Sequence, residues 1–152
     1  VIARVQGAAI GGGCGFAAVA DLAITHPEAK LGYPEVSLGI CPAVVAPWLI
    51  RKIGAGPARA MLLQGGTQSG EAAYEMGLVD HLVQREELDG AAMDLAQKLA
   101  RGGGVAVAAT KAWLNELEGP VSLKTLERGA VLSTEVIAGE DAQERLKKLY
   151  SR

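Results

Sequence analysis

Aromatic side chains are scarce, at 4% of 152 residues, so any core has to be assembled from Ala, Val, Leu and Ile. Cysteine is scarcer. Cys14 and Cys41 are two thiols without metal-ligand spacing, which argues against a disulfide framework or a metal site and makes a reducing, cytoplasmic setting the default expectation. No uninterrupted apolar run approaches the roughly 18 residues of a membrane span, and no signal-peptide pattern is visible, so no membrane partner is expected. Charge is nearly balanced, at net −2, and no basic tract is interleaved with aromatics. Nucleic acid is therefore not an expected partner either. The densest basic cluster, Arg145, Lys147 and Lys148, reads as a solvated helix face. Glycine is abundant instead. Its 20 copies cluster at 11–13, 65–66 and 102–104 without a period, which excludes collagen-like and repeat architectures.

What remains is the composition of a globular domain, 49% hydrophobic and 21% charged, long enough for one real core. Val1–Val5 reads as a strand, and because it is apolar from its first residue the sequence is expected to open mid-domain. Gly7–Gly13 reads as a Gly/Ala loop, and Gly12 to about Ala20 as a buried helix too glycine-rich to stand alone. Short strands are expected at Leu22–Thr25, Ala29–Tyr33 and Leu78–Val83. Between them lie helices at 43–53, bounded by Pro47, at 58–64, led by Pro57, and from a Ser69 cap to Met76. After that the pattern is wholly helical. Leu88, Ala92, Leu95 and Leu99 share a face, and three further helices follow at 105–117, 121–138 and 140–149.

The segment VQGAAIGGGCG carries the first chemical signal. A helix start has unpaired N–H groups and partial positive charge, and glycines there let an oxyanion approach the amides closely. Tight helix packing would need the same residues. A dinucleotide reading also fits formally, since Gly13, Gly15 and Ala18 match G-x-G-x-x-A and Glu35 follows Gly13 by 22 residues. It fails because that acid should end the second strand, which ends near Thr25.

The second signal is KLGYPEVSLGICP. Pro34 fixes the backbone before Glu35, and Val36, Leu38 and Ile40 are expected to wall the carboxylate in a low-dielectric setting useful for acid/base work. Taken alone, Glu35 would read as an exposed strand-end residue. His26 and His81 read as surface residues, Cys14 as an inert helix-packing thiol, and Trp48 and Trp113 as core or subunit contacts.

The ordered motifs V-x-G-x-A-x-G-G-G-C, Asp21, and A-K-L-G-Y-P-E-V-x-L-G-I-x-P resemble the crotonase superfamily of enoyl-CoA hydratases and isomerases. The resemblance continues through Ile53-Gly54, Ala58-Arg59-Ala60, Glu71-Ala72-Ala73 and Met76–Asp80, covering at least two-thirds of the chain. Within the family, Pro42–Trp48 is most similar to bacterial methylglutaconyl-CoA-hydratase-like members. The resemblance implies an α/β fold, a crotonase-like spiral of ββα units over residues 1–101, followed by a helical trimerisation region over 102–152 in the same structural unit. It implies an acyl-CoA substrate, no cofactor beyond that coenzyme A, and a homotrimer or hexamer. Gly12 would supply an oxyanion-hole N–H and Glu35 would move the proton, with Gly11, Pro34, Leu38 and Pro42 lining the substrate.

Three departures from the family pattern accompany it. The N-terminal region, with the other oxyanion N–H, precedes the stretch present here. The two-glutamate hydratases carry their second glutamate where this chain has Gly15. The glycine-rich stretch after Pro42 is replaced by Ala43-Val44-Val45-Ala46. Hydration of a 2-enoyl-CoA is the leading expectation. Double-bond isomerisation, which one carboxylate can perform, follows. Thioester hydrolysis is disfavoured by Ala43 where an aspartate is expected, and a non-catalytic acyl-CoA-binding scaffold has no need of an aimed Glu35.

Overall fold

The computed structural model describes residues 1–151; Arg152, the end of the expected helical region, lies outside them. The short strands form two three-stranded sheets. In the first, β1 (Ile2–Arg4), β3 (Leu22–Thr25) and β6 (His81–Leu82) run parallel, with Ile2 opposite Leu22 and Ile24 opposite His81. In the second, β2 (Ala8–Ile10) and β4 (Lys30–Gly32) are parallel, and β5 (Thr67–Ser69) closes antiparallel on β4. Each passage of the chain thus lays one strand in each sheet and then turns through helix. β1 and β2 lead to α1 (Gly12–Val19); β3 and β4 lead to α2 (Ala46–Ile53) and α3 (Ala55–Gln64); β5 and β6 flank α4 (Gly70–Glu75). This winding is the expected spiral.

The shortage of aromatics is met by small residues at close range. Ala9, Cys14, Ala17, Ala18, Ala23, Ala29, Ala58 and Ala73 are buried around Leu31, Tyr33, Leu49 and Leu78. Helices α5 (Leu88–Ala100), α6 (Gly104–Glu118), α7 (Leu123–Ala138) and α8 (Glu140–Tyr150) follow. Their limits agree with the sequence punctuation. Ser69 caps α4 by accepting from the Ala72 N–H at 3.1 Å, and a Gln84–Glu87 capping box precedes α5. No described helix is long and apolar enough to cross a membrane.

Three expectations need correction. The Gly7–Gly13 loop contains β2, because the Ile10-side backbone continues pairing through the Gly11 N–H to the Gly32 carbonyl. The strand expected at Leu78–Val83 shrinks to two residues. The amides of Leu78 and Val79 instead donate to the Ala73 carbonyl in a tight turn that buries both side chains. His26 is not a surface residue but only 1% exposed, with its ring nitrogens against Glu28 Oε2 at 2.8 Å and the Gln6 carbonyl at 3.1 Å.

Candidate active site

Helix α1 begins at a bare tip. Gly11 adopts φ 59, ψ −121, a conformation essentially reserved for glycine, and no side chain caps the helix. Its own N–H donates to the Gly32 carbonyl at 2.8 Å, fastening the tip to β4. The next amides, Gly12, Gly13 and Cys14, belong to the first turn, where intrahelical acceptors are lacking. A Cβ placed on Gly12 or Gly13 would meet nothing within 4 Å, so the side-chain positions of this first turn are open.

Glu35 sits on that tip. Pro34 precedes a 3-10 turn, Glu35–Leu38, which Gly39 ends at φ 71. The Ile40 N–H returns to the Glu35 carbonyl at 2.9 Å and fixes the turn. A Cβ built on Gly11 would lie 2.9 Å from Glu35 Oε1, so the missing side chain is the space the carboxylate occupies. Its other oxygen, Oε2, is buried and has no hydrogen-bond partner among the described residues. Burial pushes the carboxyl above its ordinary value, and a backbone hydrogen bond opposes the shift only in part. An unpaired buried carboxylate oxygen is costly unless something else uses it.

The surroundings differ from the expected apolar walls. Val36 turns toward α3, where Gly65 leaves room for it. Beneath Glu35 lie Cys14 and Tyr33, both fully buried. Burial pushes the Cys14 thiol up to about 11 and the Tyr33 phenol well above its usual range. Both stay protonated at neutral pH, which leaves Glu35 as the group there able to exchange a proton. The Tyr33 hydroxyl lies against the Cys14 thiol and, among the described residues, has no nitrogen or oxygen partner. Its position just before Pro34-Glu35 was the only sequence hint of it.

Gly15 also has a steric reason. A Cβ there would lie 2.9 Å from Val45 Cγ1. The bulky residue after Pro42 therefore fills the space that any side chain at 15 would need. The two sequence departures, Gly15 and Val45, are one structural feature.

Of the anticipated site residues, the structure brings the catalytic candidates Gly12 and Glu35 together with Gly11 and Pro34 of the substrate-lining set. Pro42 lies apart in an apolar groove of about 740 Å³, with Val36, Ile40, Ile50 and Leu132. Leu38 is partly buried and lines neither that groove nor the second cavity, of about 830 Å³, which reaches the other flank of the tip at Gly13. Among the described residues no group of three or more His, Cys, Asp or Glu side chains is placed to hold a metal.

Comparison with known proteins agrees with this architecture. The enoyl-CoA hydratase/isomerase family model matches residues 1–150. A crotonyl-CoA hydratase of Syntrophomonas wolfei is 39% identical over 117 residues, covering 76% of this chain and 45% of the relative. A 2,3-dehydroadipyl-CoA hydratase of Escherichia coli is 32% identical across 100% of this chain and 60% of its own length. The crystal structure of an enoyl-CoA hydratase/isomerase from Mycobacterium paratuberculosis superimposes with a TM-score of 0.84 at 27% identity, over 97% of this chain and 59% of that one. The chain spans about half the length of the curated relatives it matches. The matched family model, the relatives and the spiral with its glycine tip agree: the chain belongs to the enoyl-CoA hydratase/isomerase family.

Proposed function

We propose that the protein hydrates a 2-enoyl-CoA, with Glu35 as the acid/base group and the Gly12 N–H as a donor to the enolate oxygen. One observation carries the reading: an unpartnered, desolvated carboxylate seated against an open, glycine-lined helix start. The thioester carbonyl would lie at the tip, with Gly11 and Pro34 nearby, while Pro42 would meet the acyl chain only from the separate apolar groove and Leu38 has no place in this reading. Glu35 takes a proton from water as the water oxygen bonds to Cβ. The Cα=Cβ pair moves to Cα–C(O), and negative charge collects on the thioester oxygen, where a fixed amide donor contributes about 3–4 kcal/mol. The enolate then collapses, taking the proton from Glu35 at Cα. A second donor and the surface for coenzyme A lie beyond the residues assigned here. The apolar faces of the C-terminal helices support assembly as a trimer or pair of trimers.

Isomerisation is the second reading, and the Gly15–Val45 contact favours it, since it leaves one carboxylate at the tip. Product analysis separates the two. Hydration bleaches the enoyl absorbance of crotonyl-CoA and branched enoyl-CoAs and yields 3-hydroxyacyl thioesters, whereas isomerisation yields 3-enoyl products. Glu35→Gln is expected to lower kcat about 10²–10⁴-fold while sparing coenzyme A binding. Because Glu35 must be ionised to take the water proton and burial raises its pKa above 4.5, kcat/KM should fall with decreasing pH while still above the ordinary carboxylate range. A Gln variant as active as the parent removes Glu35 from the mechanism.

A further inference from the structure

The turn that carries Glu35 is gripped at two points by the last two helices. On α8, a Cβ at Gly39 would lie 2.9 Å from Asp141 Oδ2 and 3.0 Å from the Cα of buried Ala142. The Asp141–Arg145 ion pair spans one turn of α8 at 2.9 Å, and Arg145 reaches the Ser37 carbonyl at 3.4 Å. On α7, a Cβ at Gly129 would lie 3.2 Å from the Ala43 carbonyl oxygen, and Gly129 is the one residue of that helix that is buried. One turn further along α7, the Ser133 hydroxyl donates to the Cys41 carbonyl at 2.9 Å. Both approaches lie on the C-terminal side of Glu35: at Gly39, where the positive φ and the Ala142 backbone favour glycine, and at Ala43, where a Cβ on Gly129 would be tight.

We propose that the α7–α8 hairpin is a positioning device for Glu35, anchoring the C-terminal end of its turn through Gly39 and the segment that follows through Gly129 with Ser133. The region expected from sequence to serve assembly would then act on the site of its own chain. This rests on the assignment of Glu35 as the acid/base group, yet its structural content can be read independently. The side chains facing the turn make the readout clean. Asp141 and Arg145 neutralise each other, and Cys14 and Tyr33 stay protonated, so the carboxyl responds chiefly to how dry it is held.

The test uses the complete natural protein and four variants: Gly129→Ala, Ser133→Ala, Ser133→Thr and Gly90→Ala. Gly90 lies on α5 with nothing near its missing Cβ and serves as the control. Infrared difference titration against Glu35→Gln reads the Glu35 carboxyl directly, and a kcat-against-KM split reads turnover. Gly129→Ala and Ser133→Ala are expected to move the carboxyl titration down toward 4.5 as water enters, and to lower kcat about tenfold or more with KM within about twofold. Ser133→Thr, which keeps the hydroxyl, should restore both, and Gly90→Ala should change neither. A merely structural role predicts lower Tm with the Glu35 titration unmoved, and that result overturns the clamp. Should Glu35→Gln prove fully active, the catalytic assignment fails while the titration still decides whether the hairpin holds the turn.

Discussion

Helices α1 and α6 are both built from small and apolar residues, yet α1 buries Cys14, Gly15, Ala17 and Ala18 among its eight residues whereas α6 buries none of its fifteen. The composition of α1 is poor for an isolated helix, with three glycines in the first four positions. It exists because strands β1 and β2 and helix α2 hold it, and because missing side chains admit Glu35 at one point and Val45 at another. Helix α6 is the reverse. Ala, Leu, Lys and Glu give it good propensity, while Val105, Val107, Trp113, Leu114 and Leu117 remain exposed. It is tied down at its middle by the Lys111–Asp21 pair and at its C-terminal end by Arg51 with Glu118 and the Gly119 carbonyl. One helix is made by its neighbours and serves a site; the other makes itself and presents a surface.

The largest effect should come from placing a side chain on the tip of α1. Gly11→Ala puts a methyl group 2.9 Å from Glu35 Oε1 in a backbone conformation that disfavours any Cβ. Turnover should fall about 100-fold or more from the displaced carboxylate. Backbone strain of about 1–3 kcal/mol should also lower Tm by several degrees. Gly56→Ala, at an α3 position where a Cβ meets nothing, sharpens the contrast and should leave both within error. Equal losses in the two variants would mean that the tip is an ordinary glycine-rich turn.

A smaller effect tests whether Gly15 and Val45 are one feature. Gly15→Glu overpacks α1 against Val45 Cγ1 and should cost about 1–3 kcal/mol in urea unfolding. Val45→Gly alone loses a partly buried apolar side chain. In the double variant the carboxylate side chain has the vacated space, so the two changes should couple by more than about 0.5 kcal/mol. Strict additivity would show that the contact does not govern which residue can stand at 15.

This contrast also explains what could be read from sequence. The C-terminal helices were legible from local terms alone: apolar spacing in α5, Gly119-Pro120 and Gly139 as breaks, and Ser69 as a cap for α4. Strands β2 and β5 were not, because three residues of Ala-Ala-Ile or Thr-Gln-Ser become strand only through their pairing with β4. Burial of His26 depends on Gln6, in another passage of the chain, and on Gly70, whose missing Cβ admits the His26 backbone. At the site, the roles proposed for Gly12 and Glu35 came from an ordered family pattern and not from their types. The contact of Val45 with Gly15, the place of Tyr33 beneath Glu35 and the hairpin contacts at Gly39 and Gly129 came from neither, since each is fixed by a partner distant in sequence.

The smallest effect on the folded chain, and the sharpest on its surroundings, should follow from charging the open face of α6. Leu114 and Leu117 are 51% and 64% exposed and lie three residues apart on that helix, with Trp113 beside them. Replacing both with Glu removes apolar surface that the described residues leave open. Helix content by circular dichroism should hold, and monomer stability should shift by no more than about 0.5 kcal/mol per site, as for surface substitutions elsewhere. If the face is buried between copies, sedimentation should show smaller species, because unpaired carboxylates in a dry apolar contact each cost several kcal/mol. Turnover should then fall only as far as the site needs its neighbours. An unchanged sedimentation profile would make α6 a solvent-facing helix and would separate assembly from the apolar surface that distinguishes it from α1.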